Sequence, residues 1–416
     1  MTVLLSGGLV FDGCGNLYEH HGILLDGECI ARFAPLGEFA GYTGPRVDTA
    51  GGTVLPGLID CHVHLVFAGE ANTWQRLTTL QPGAITLRAL EHAQALLTGG
   101  ITAARDCGGK DYLEFAVRDA CNAGQFSGPI IRAAGRMICM TGGHGNRIGR
   151  VADGVEEVIR AVRDQIHAGS DLIKIMATGG VMTPGVNPED AHYSAREIAA
   201  GIAEGHRFNR PCASHAQGTE GVLNAVRGGA DSIEHGIFLD NECIDEMCQR
   251  GTVLVPTLSA LLNILRHPNA GIPGEVMEKA ERMASRHRES IKTFYQAGGK
   301  IAMGTDAGTP FNHHGENAME LHYMVETGIT PADTLTAATG TAAALMKLDN
   351  RGHIRDGMIA DLLIVDGNPV SSIFAATDKV NHRTVIKSGT VVAGQRPPES
   401  GNIDMATEKT VKTPLG

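Results

Sequence analysis

The chain has 416 residues, a formal net charge of −11 at pH 7 and 43% hydrophobic residues, a composition typical of a globular protein with a large core. The acidic balance excludes nucleic acid as an expected partner. The sequence has no apolar run long enough to span a bilayer, and its N-terminus lacks the pattern of a secretory signal, so a membrane partner is not expected either.

The nine cysteines are an odd number, are scattered and include no Cys-x-x-Cys pair. Such a distribution is typical of reduced thiols, and we therefore predict a cytoplasmic protein. Cys61 lies between two histidines and faces the opposite side of their predicted strand, so we expect it in the core.

Short β-strands are predicted at both ends of the chain. Apolar runs bounded by Asp-Gly, Gly-Asn and Ser-Gly turn signals cover residues 3–5, 8–11, 22–25, 361–365 and 383–386. The two flanks predict one small discontinuous β-sandwich domain built from residues 1–52 and 353–396. Residues 397–416 are polar and aperiodic, which is typical of a frayed tail.

The middle of the chain, residues 53–352, alternates strand-like apolar runs with helical patterns, which is the signature of βα units. Segments such as 87–97, 155–168 and 275–297 have the helical pattern. The eight predicted strands cover residues 54–65, 101–106, 130–134, 172–176, 212–215, 232–235, 253–257 and 301–306. Eight strand–helix units predict an α/β protein whose main domain is a TIM (β/α)8 barrel.

Two histidines, His62 and His64, end the first predicted barrel strand. Side chains two residues apart in a strand point to the same face, so both imidazoles project to one side. Two neutral imidazoles held together form half of a divalent-metal site. Two unrelated surface histidines are the alternative, and the residues at the other strand ends decide between them.

Polar residues also end or interrupt four other predicted strands. In TIM barrels the active site lies at the C-terminal ends of the strands, so these residues are expected to meet. Each has a structural alternative, such as a satisfied core histidine or a helix-capping aspartate. A lysine inside strand 172–176 is the hardest to explain structurally, because a buried ammonium is costly unless it is paired or modified. These residues are Lys174, His215, His235 and Asp306.

The order and local contexts of these residues resemble the amidohydrolase superfamily of metal-dependent hydrolases, and the resemblance covers nearly the whole chain. The runs Leu-Ile-Lys-Ile-Met-Ala-Thr-Gly-Gly, at residues 172–180, and Gly-Thr-Asp-Ala-Gly-Thr-Pro, at residues 304–310, are similar to the imidazolonepropionase-related branch. Within that branch they look most like the prolidase-like dipeptidases and carboxypeptidases that act on Xaa-Pro and Xaa-Arg substrates.

The resemblance implies a site with two divalent metal ions, for which zinc is the expected metal. Lys174 would be carboxylated on its amine, as N6-carboxylysine, and would bridge both ions. The chemistry agrees with this role, because a neutral amine adds carbon dioxide and two cations stabilise the resulting carbamate. The remaining ligands would be His62, His64 and Asp306 for the more buried ion, and His215 and His235 for the more exposed one.

The resemblance also implies a mechanism of amide hydrolysis. A water held by two cations ionises near neutral pH, and one cation polarises the scissile carbonyl. Asp306 would accept the proton of that water and pass it to the departing amine. His144, in the glycine-rich loop after the third strand, would contact the substrate and donate a hydrogen bond to the developing oxyanion. A loop histidine in solvent is the alternative.

Several further residues are candidates for substrate contact, and each has a structural alternative. Tyr193 precedes the capping box of Ser194 and Glu197, so it is equally well a hydrophobic staple against Ile198. Arginines beyond the glycine-rich loop could clamp a substrate carboxylate, although surface arginines are common. The candidates are Tyr193, Arg147, Arg150, His314, its neighbour His313, and Trp74.

These observations predict a binuclear metal-dependent hydrolase that cleaves an amide bond in a small substrate, such as a dipeptide or an N-acyl amino acid with a free C-terminal carboxylate. A homo-oligomer is expected. A mononuclear deaminase or cyclic-amide hydrolase is a competing hypothesis, but the deaminases carry a glutamate shortly after the fifth-strand histidine, where this chain has Ala216-Gln217-Gly218. Two further hypotheses are a lactone or organophosphate hydrolase and a non-catalytic assembly protein that retained the barrel.

Overall fold

The computed structural model describes residues 2–394, and the predicted tail over 397–416 lies outside them. Seven short strands open the chain. The hairpin between the fourth and fifth strands turns at Gly27, whose φ of 58° is a conformation that favours glycine. The strands are β1 (Thr2–Ser6), β2 (Leu9–Phe11), β3 (Leu17–Tyr18), β4 (His21–Asp26), β5 (Cys29–Pro35), β6 (Arg46–Asp48) and β7 (Gly52–Pro56).

The middle of the chain alternates strands and helices, as predicted. The strands are β8 (Leu58–Val63), β9 (Ile101–Asp106), β10 (Ile130–Ala133), β11 (Ile138–Cys139), β12 (Arg150–Val151), β13 (Ile173–Met176), β14 (Cys212–Ala216), β15 (Ser232–His235) and β16 (Val253–Val255). The helices are α1 (Thr73–Thr79), α2 (Pro82–Thr98), α3 (Leu113–Asn122), α4 (Val155–Ala168), α5 (Ala195–Arg207), α6 (Thr219–Gly228), α7 (Asn241–Arg250), α8 (Leu258–Arg266), α9 (Gly274–Gln296), α10 (Met319–Glu326), α11 (Pro331–Ala337) and α12 (Gly340–Leu345).

The helices form where the sequence supplies caps and an apolar face. α4 buries Val158, Ala161, Val162 and Gln165, which lie on one face at helical spacing. α5 begins at the predicted capping box, in which the Ser194 side chain accepts from the Glu197 backbone and the Glu197 side chain accepts from the Ser194 backbone. Such helices cover the outside of the parallel strands and bury them on both faces.

The end of the chain returns to β-structure and pairs with its beginning. The last elements are β17 (Leu362–Asp366), α13 (Phe374–Thr377), β18 (His382–Lys387) and β19 (Thr390–Gly394). β17 runs antiparallel to β7, so one six-stranded sheet has the order β19-β18-β17-β7-β2-β3, and β5-β4-β1-β6 form a second sheet. Both flanks thus contribute to the same β-structure, while the exact domain boundaries remain a prediction.

Two parallel sheets form the centre of the molecule. One has the order β10-β9-β8 and the other the order β12-β11-β13-β14-β15-β16. In the second sheet Lys174 lies opposite Ala213, and His215 lies opposite Glu234. This register brings the C-terminal ends of β13, β14 and β15 to one edge, where side chains from separate strands meet.

The predicted eighth strand, residues 301–306, lacks a regular ladder. Its backbone nevertheless contacts both neighbours, because Ile301 bridges Leu254 and the Asp306 N–H donates to the His62 carbonyl at 2.7 Å. A Cβ at Gly304 would lie 2.3 Å from the Val255 side chain, so glycine permits this close approach. The segment occupies the place of an eighth barrel strand, while the two sheets described are not closed into one ladder.

A single residue, Gly57, separates β7 of the flanking β-structure from β8 of the parallel sheets. A Cβ at this position would lie 2.2 Å from Thr102 on β9, so the chain crosses close to its neighbour. The predicted core position of Cys61 is confirmed, since it is fully buried. Within residues 2–394, no helix combines the length and apolar character needed to cross a bilayer.

Candidate active site

The strand ends bring the predicted metal ligands into one cavity. His62 comes from β8 and His64 directly follows it, Lys174 comes from β13, and His215 and His235 come from the ends of β14 and β15. Asp306 joins them from the irregular eighth segment, held by the hydrogen bond between its N–H and the His62 carbonyl. The cavity is lined by all six of these side chains, His62, His64, Lys174, His215, His235 and Asp306.

The possible ligand atoms lie close together. The Oδ1 atom of Asp306 is 3.2 Å from His64 Nε2 and 3.5 Å from His62 Nε2. One ligand atom each from His62, His235 and Asp306 lie within 4.8 Å of one another, which is a spacing that one ion can bridge. The imidazole rings of His215 and His235 are 4.5 Å apart. Nitrogen and carboxylate donors in this arrangement suit a divalent metal.

Each candidate ligand imidazole forms a hydrogen bond to the surrounding protein through one of its two ring nitrogens. The Nδ1 atoms of His64 and His235 lie 2.7 Å from the Gly108 carbonyl and the Thr257 hydroxyl. The Nε2 atom of His215 lies 2.8 Å from the Gly179 carbonyl. Such bonds fix the ring orientation and the tautomer, so that the opposite nitrogen faces the cavity.

The fourth histidine, His62, is oriented by a carboxylate that the sequence reasoning missed. Its Nδ1 lies 2.7 Å from Glu234, and Glu234 also pairs with Arg105 at 2.8 Å. Arg105 further donates to Ser232 and to the Cys61 carbonyl. The side chains of His62, Glu234 and Arg105 are all buried. The signal in the sequence was a pair of charges, an arginine and a glutamate, inside two apolar strands.

The Lys174 side chain fits the predicted carbamate. It is 2% exposed, and its Nζ atom has no hydrogen-bond partner in the structure. The Oδ1 atom of Asp306 is likewise buried, and its near neighbours are the Nε2 atoms of His62 and His64. A buried ammonium without a partner is costly, and two cations with a bridging carbamate would remove that cost and also bind the Asp306 carboxylate. The donor set therefore fits a binuclear centre.

The pKa shifts favour neutral imidazoles, which are the form that binds metals. Burial lowers the pKa of His62, His215 and His235 well below the ordinary value, and the charge of Lys174 acts in the same direction. His64 differs, because burial would lower its pKa but the Asp306 carboxylate outweighs burial and raises it. The histidine nearest the carboxylate is thus the one whose pKa is shifted upward.

The backbone is strained at the site. His235 has a φ of 73°, Asp306 of 60° and Thr257 of 54°, a left-handed conformation that side chains other than glycine and asparagine rarely adopt. The Thr257 hydroxyl bonds His235, and Glu320 accepts from the next two backbone N–H groups, those of Leu258 and Ser259, at 2.7 Å each. Strain held by surrounding bonds is typical of functional sites.

Apolar side chains form most of the remaining cavity wall. Trp74 is among them, and its ring packs edge-on against Phe67 at 4.9 Å. Lys174 is the one lysine or arginine among the lining residues of the part described. Gln217 contributes a buried amide oxygen without a partner. The apolar lining comprises Phe67, Trp74, Met137, Met176, Val181, Met182, Ile237, Ala260, Leu261, Ile264 and Pro310.

Comparison with known proteins gives the family. Residues 53–392 match the model of the amidohydrolase family. The chain belongs to the amidohydrolase family. This amidohydrolase is 32% identical to ochratoxinase from Aspergillus niger over 374 residues, which cover 82% of this chain and 76% of the relative. It is 24% identical to imidazolonepropionase from Streptomyces avermitilis over 371 residues, which cover 84% of this chain and 82% of the relative.

A solved structure of a Xaa-Pro dipeptidase with bound methionine in its active site is also similar to this amidohydrolase. The TM-score is 0.87 at 32% sequence identity, and the match covers 95% of this chain and 100% of the other. These relatives confirm the predicted resemblance to the imidazolonepropionase-related branch and its dipeptidases. They also support the predicted fold class, since the shared fold includes both the parallel strands and the flanking β-structure.

His144 reaches the cavity of the amidohydrolase. It lines the wall, its ring lies 4.6 Å from that of His215, and its Nδ1 is 2.7 Å from the Thr183 hydroxyl. Burial lowers the pKa of His144 to about 3, so the ring is neutral. With Nδ1 accepting from Thr183, Nε2 carries the proton and can donate to a substrate oxygen.

The predicted placement of five other residues needs correction, because they do not line the cavity. The Tyr193 hydroxyl donates to the Ala152 carbonyl at 2.8 Å. His314 donates to the Phe67 carbonyl at 2.9 Å. The Tyr193 hydroxyl and the His314 Nε2 are thus bonded outside the cavity. Arg150 pairs with Asp164, Arg147 is exposed, and His313 beside His314 is exposed too.

Proposed function

We propose that the chain is a binuclear metal-dependent hydrolase that cleaves an amide bond in a small substrate. The observation that carries the proposal is Lys174, a lysine buried without a partner among four histidines and an aspartate. As its carbamate it would bridge two divalent ions, with zinc as the proposed metal. The other side chains at the cavity would complete the two coordination spheres as the sequence predicts.

The chain's own residues supply proton transfer and orientation. When bound, the two ions would act as Lewis acids that make a water nucleophilic and polarise the scissile carbonyl. Asp306 has a carboxylate oxygen without a hydrogen bond at the cavity, so it can accept a proton from that water and deliver it to the amine nitrogen. His144 donates from Nε2 to the carbonyl oxygen as negative charge develops there.

The composition of the cavity wall favours a substrate with apolar groups. Aromatic, methionine and aliphatic side chains line it, and no arginine does so among the residues described. The similarity to ochratoxinase and to a Xaa-Pro dipeptidase supports a peptide or N-acyl amino acid. We therefore favour an N-acyl amino acid or dipeptide with a free carboxylate and a bulky apolar group on one side of the amide.

The second candidate is hydrolysis of a cyclic amide, which the similarity to imidazolonepropionase supports. Gln217 lies in the cavity two residues after His215, and the deaminases of the superfamily carry a glutamate shortly after the corresponding histidine. An amide cannot transfer a proton as a carboxylate does, so deamination is the less favoured reaction. A lactone or organophosphate would fit the same metals and stays a further candidate substrate.

A substrate screen with the zinc-loaded protein tests the proposal. The panel pairs N-acyl amino acids and dipeptides that have large apolar side chains with polar counterparts of equal length, and adds cyclic amides and lactones. We expect the highest kcat/KM for apolar linear amides. Asp306→Asn serves as the control for contaminating hydrolases. Turnover of cyclic amides or lactones alone would contradict the proposal.

Amidating the substrate carboxylate is the second arm of the screen. Loss of one charge-assisted hydrogen bond costs about 1.5–3 kcal/mol, or roughly ten- to a hundred-fold in kcat/KM. A drop of that size would support recognition of the free carboxylate. Equal cleavage of the free and amidated forms would show that the enzyme selects apolar amides and does not require a free carboxylate.

A further inference from the structure

A second cavity opens at the other end of the parallel strands. Ser170, Asp171 and Leu172 line it just before β13, and Asn209, Arg210 and Pro211 line it just before β14. The N-terminal ends of these strands lie at the edge of the sheet opposite to the C-terminal ends, where the candidate metal ligands lie. We call this the basic cavity, and its other lining residues are Arg105, Arg132, Gly169, Leu345, Met346 and Lys347.

Positive charge dominates the basic cavity, although the whole chain carries a net charge of −11. Asp171 is its acidic lining residue, and the Asp171 carboxylate already accepts from Arg118, Arg132 and the Ala133 N–H. Arg210 and Lys347 have no carboxylate partner among residues 2–394. Two cationic groups at this cavity are therefore uncompensated.

Two buried polar atoms at the basic cavity lack partners. Ser170 is 1% exposed and its hydroxyl makes no hydrogen bond. The Nε atom of Arg210 is also buried without a partner. Both groups can donate a hydrogen bond, and unpaired buried donors cost free energy. An acceptor held between them and the nearby cations would remove that cost.

We propose that the basic cavity binds a small oxyanion of the phosphate type. Arginine and lysine suit phosphate oxygens, because a guanidinium presents several donors in a fixed plane and an ammonium adds a point charge. Ser170 at the floor would donate to one oxygen, and Arg210 and Lys347 would neutralise the charge. Binding to the folded state would stabilise it by RT ln(1 + c/Kd), where c is the concentration of free phosphate, without access to the metal ions.

Calorimetric titration of the metal-loaded protein with inorganic phosphate tests the site, against sodium chloride at the same ionic strength. We expect saturable binding with one site per chain. Arg210→Gln combined with Lys347→Gln should weaken it at least about ten-fold, because two charged donors are lost. The control combines Arg160→Gln with Lys292→Gln, which removes the same charge at two exposed positions and should bind as wild type.

The outcomes separate this site from the metals. Phosphate bound equally by wild type and the Arg210/Lys347 double variant would belong to the metal centre and would overturn the proposal, as would absence of saturable binding. If the double variant does not fold, Lys347→Gln and Ser170→Ala are titrated singly, and wild-type affinity in both would overturn it. A phosphate monoester distinguishes the source: tighter binding than free phosphate indicates a phosphorylated metabolite.

Discussion

The Nδ1 atom of His62 lies 2.7 Å from a carboxylate oxygen of Glu234, and both side chains are buried. The other Glu234 oxygen pairs with Arg105 at 2.8 Å. This arrangement gives His62 a fixed tautomer with Nε2 directed at the cavity, and it places a compensated ion pair inside the barrel. The orientation of this cavity histidine therefore depends on Glu234 and Arg105, which do not line the cavity wall with it as candidate ligands.

Replacing Glu234 with Gln should weaken both the metal site and the fold. Arg105 would lose its buried counter-charge, and breaking such a pair costs about 3–5 kcal/mol of unfolding free energy. Outer partners of ligand histidines typically change metal affinity about 10–100-fold. The matched control is Glu326→Gln, which removes the partner of the more exposed His322 and should cost less than about 1 kcal/mol. Denaturant unfolding and metal titration provide the measurements, and equal effects of both variants would refute the role of Glu234.

The Asp306→Asn variant should fold, bind metal and lose turnover. Asparagine tolerates the left-handed backbone at this position, where φ is 60°, so the substitution removes the proton acceptor without new strain. We expect kcat to fall by roughly two orders of magnitude or more. Metal content is measured on the same sample, since loss of the ions would explain a loss of rate. A fully metallated variant with wild-type turnover would rule out the proton shuttle.

The zinc-loaded protein should contain two metal ions per chain. The ligand set has two groups of donors with Lys174 between them, and one ion would leave His215 or His64 unused. Elemental analysis after removal of loosely bound zinc gives the stoichiometry. Full activity at one ion per chain would instead support the mononuclear reaction types.

Lys174 should be carboxylated when both ions are bound. Lys174→Met has a similar length but cannot form the carbamate, so it should lose the bridge, much of the second ion and the activity. Lys174→Ala leaves space in which a short carboxylic acid can act as the bridge, and its activity should partly return on adding one. Electron density beyond Nζ in a metallated crystal is the direct measurement. A bare ammonium paired with a carboxylate and remote from both ions would reject the bridge.

Glu320 should make stability fall as pH rises. Burial raises the pKa of Glu320 to about 8, against bonds from Ser259 and Leu258 that lower it. A glutamate in the unfolded chain has a pKa of about 4.3. Between these two pKa values the Glu320 carboxyl is protonated in the folded state and ionised in the unfolded state. The stabilisation that Glu320 contributes is therefore present below about pH 4 and is lost as the pH rises toward 8.

Unfolding experiments at several pH values between about 5.5 and 7.5 measure this effect. The difference in unfolding free energy between wild type and Glu320→Gln should decrease by about 1.4 kcal/mol per pH unit. Glu316→Gln, an exposed position near the same helix, should show no such slope. A constant difference for Glu320→Gln would show that the carboxyl is ionised in the folded protein.

That His62, His64 and Lys174 line the cavity could be predicted from sequence, because each has a local pattern. Alternation places His62 and His64 on one face of a strand, and a lysine in an apolar strand stands out by its desolvation cost. Glu234 and Arg105 were missed, because their pairing joins β15 to β9 across the barrel and only the fold brings them together. Tyr193 and Arg150 were candidates because their chemistry suits a substrate, while tertiary contacts with Ala152 and Asp164 determine where they point. The irregular eighth segment was also beyond sequence patterns, since 301–306 has a strand-like pattern but forms only an isolated bridge at Ile301 and is left-handed at Asp306.

The left-handed backbone at His235 and Asp306 bears on how this chain could change over evolutionary time. Each such residue costs about 1–3 kcal/mol, a cost that selection for folding alone would remove. In a descendant that no longer needed the reaction, both positions would drift toward glycine or asparagine, and the protein would become more stable as it lost its ligands. At these two positions the side chains that line the cavity and the stability of the backbone are thus in opposition.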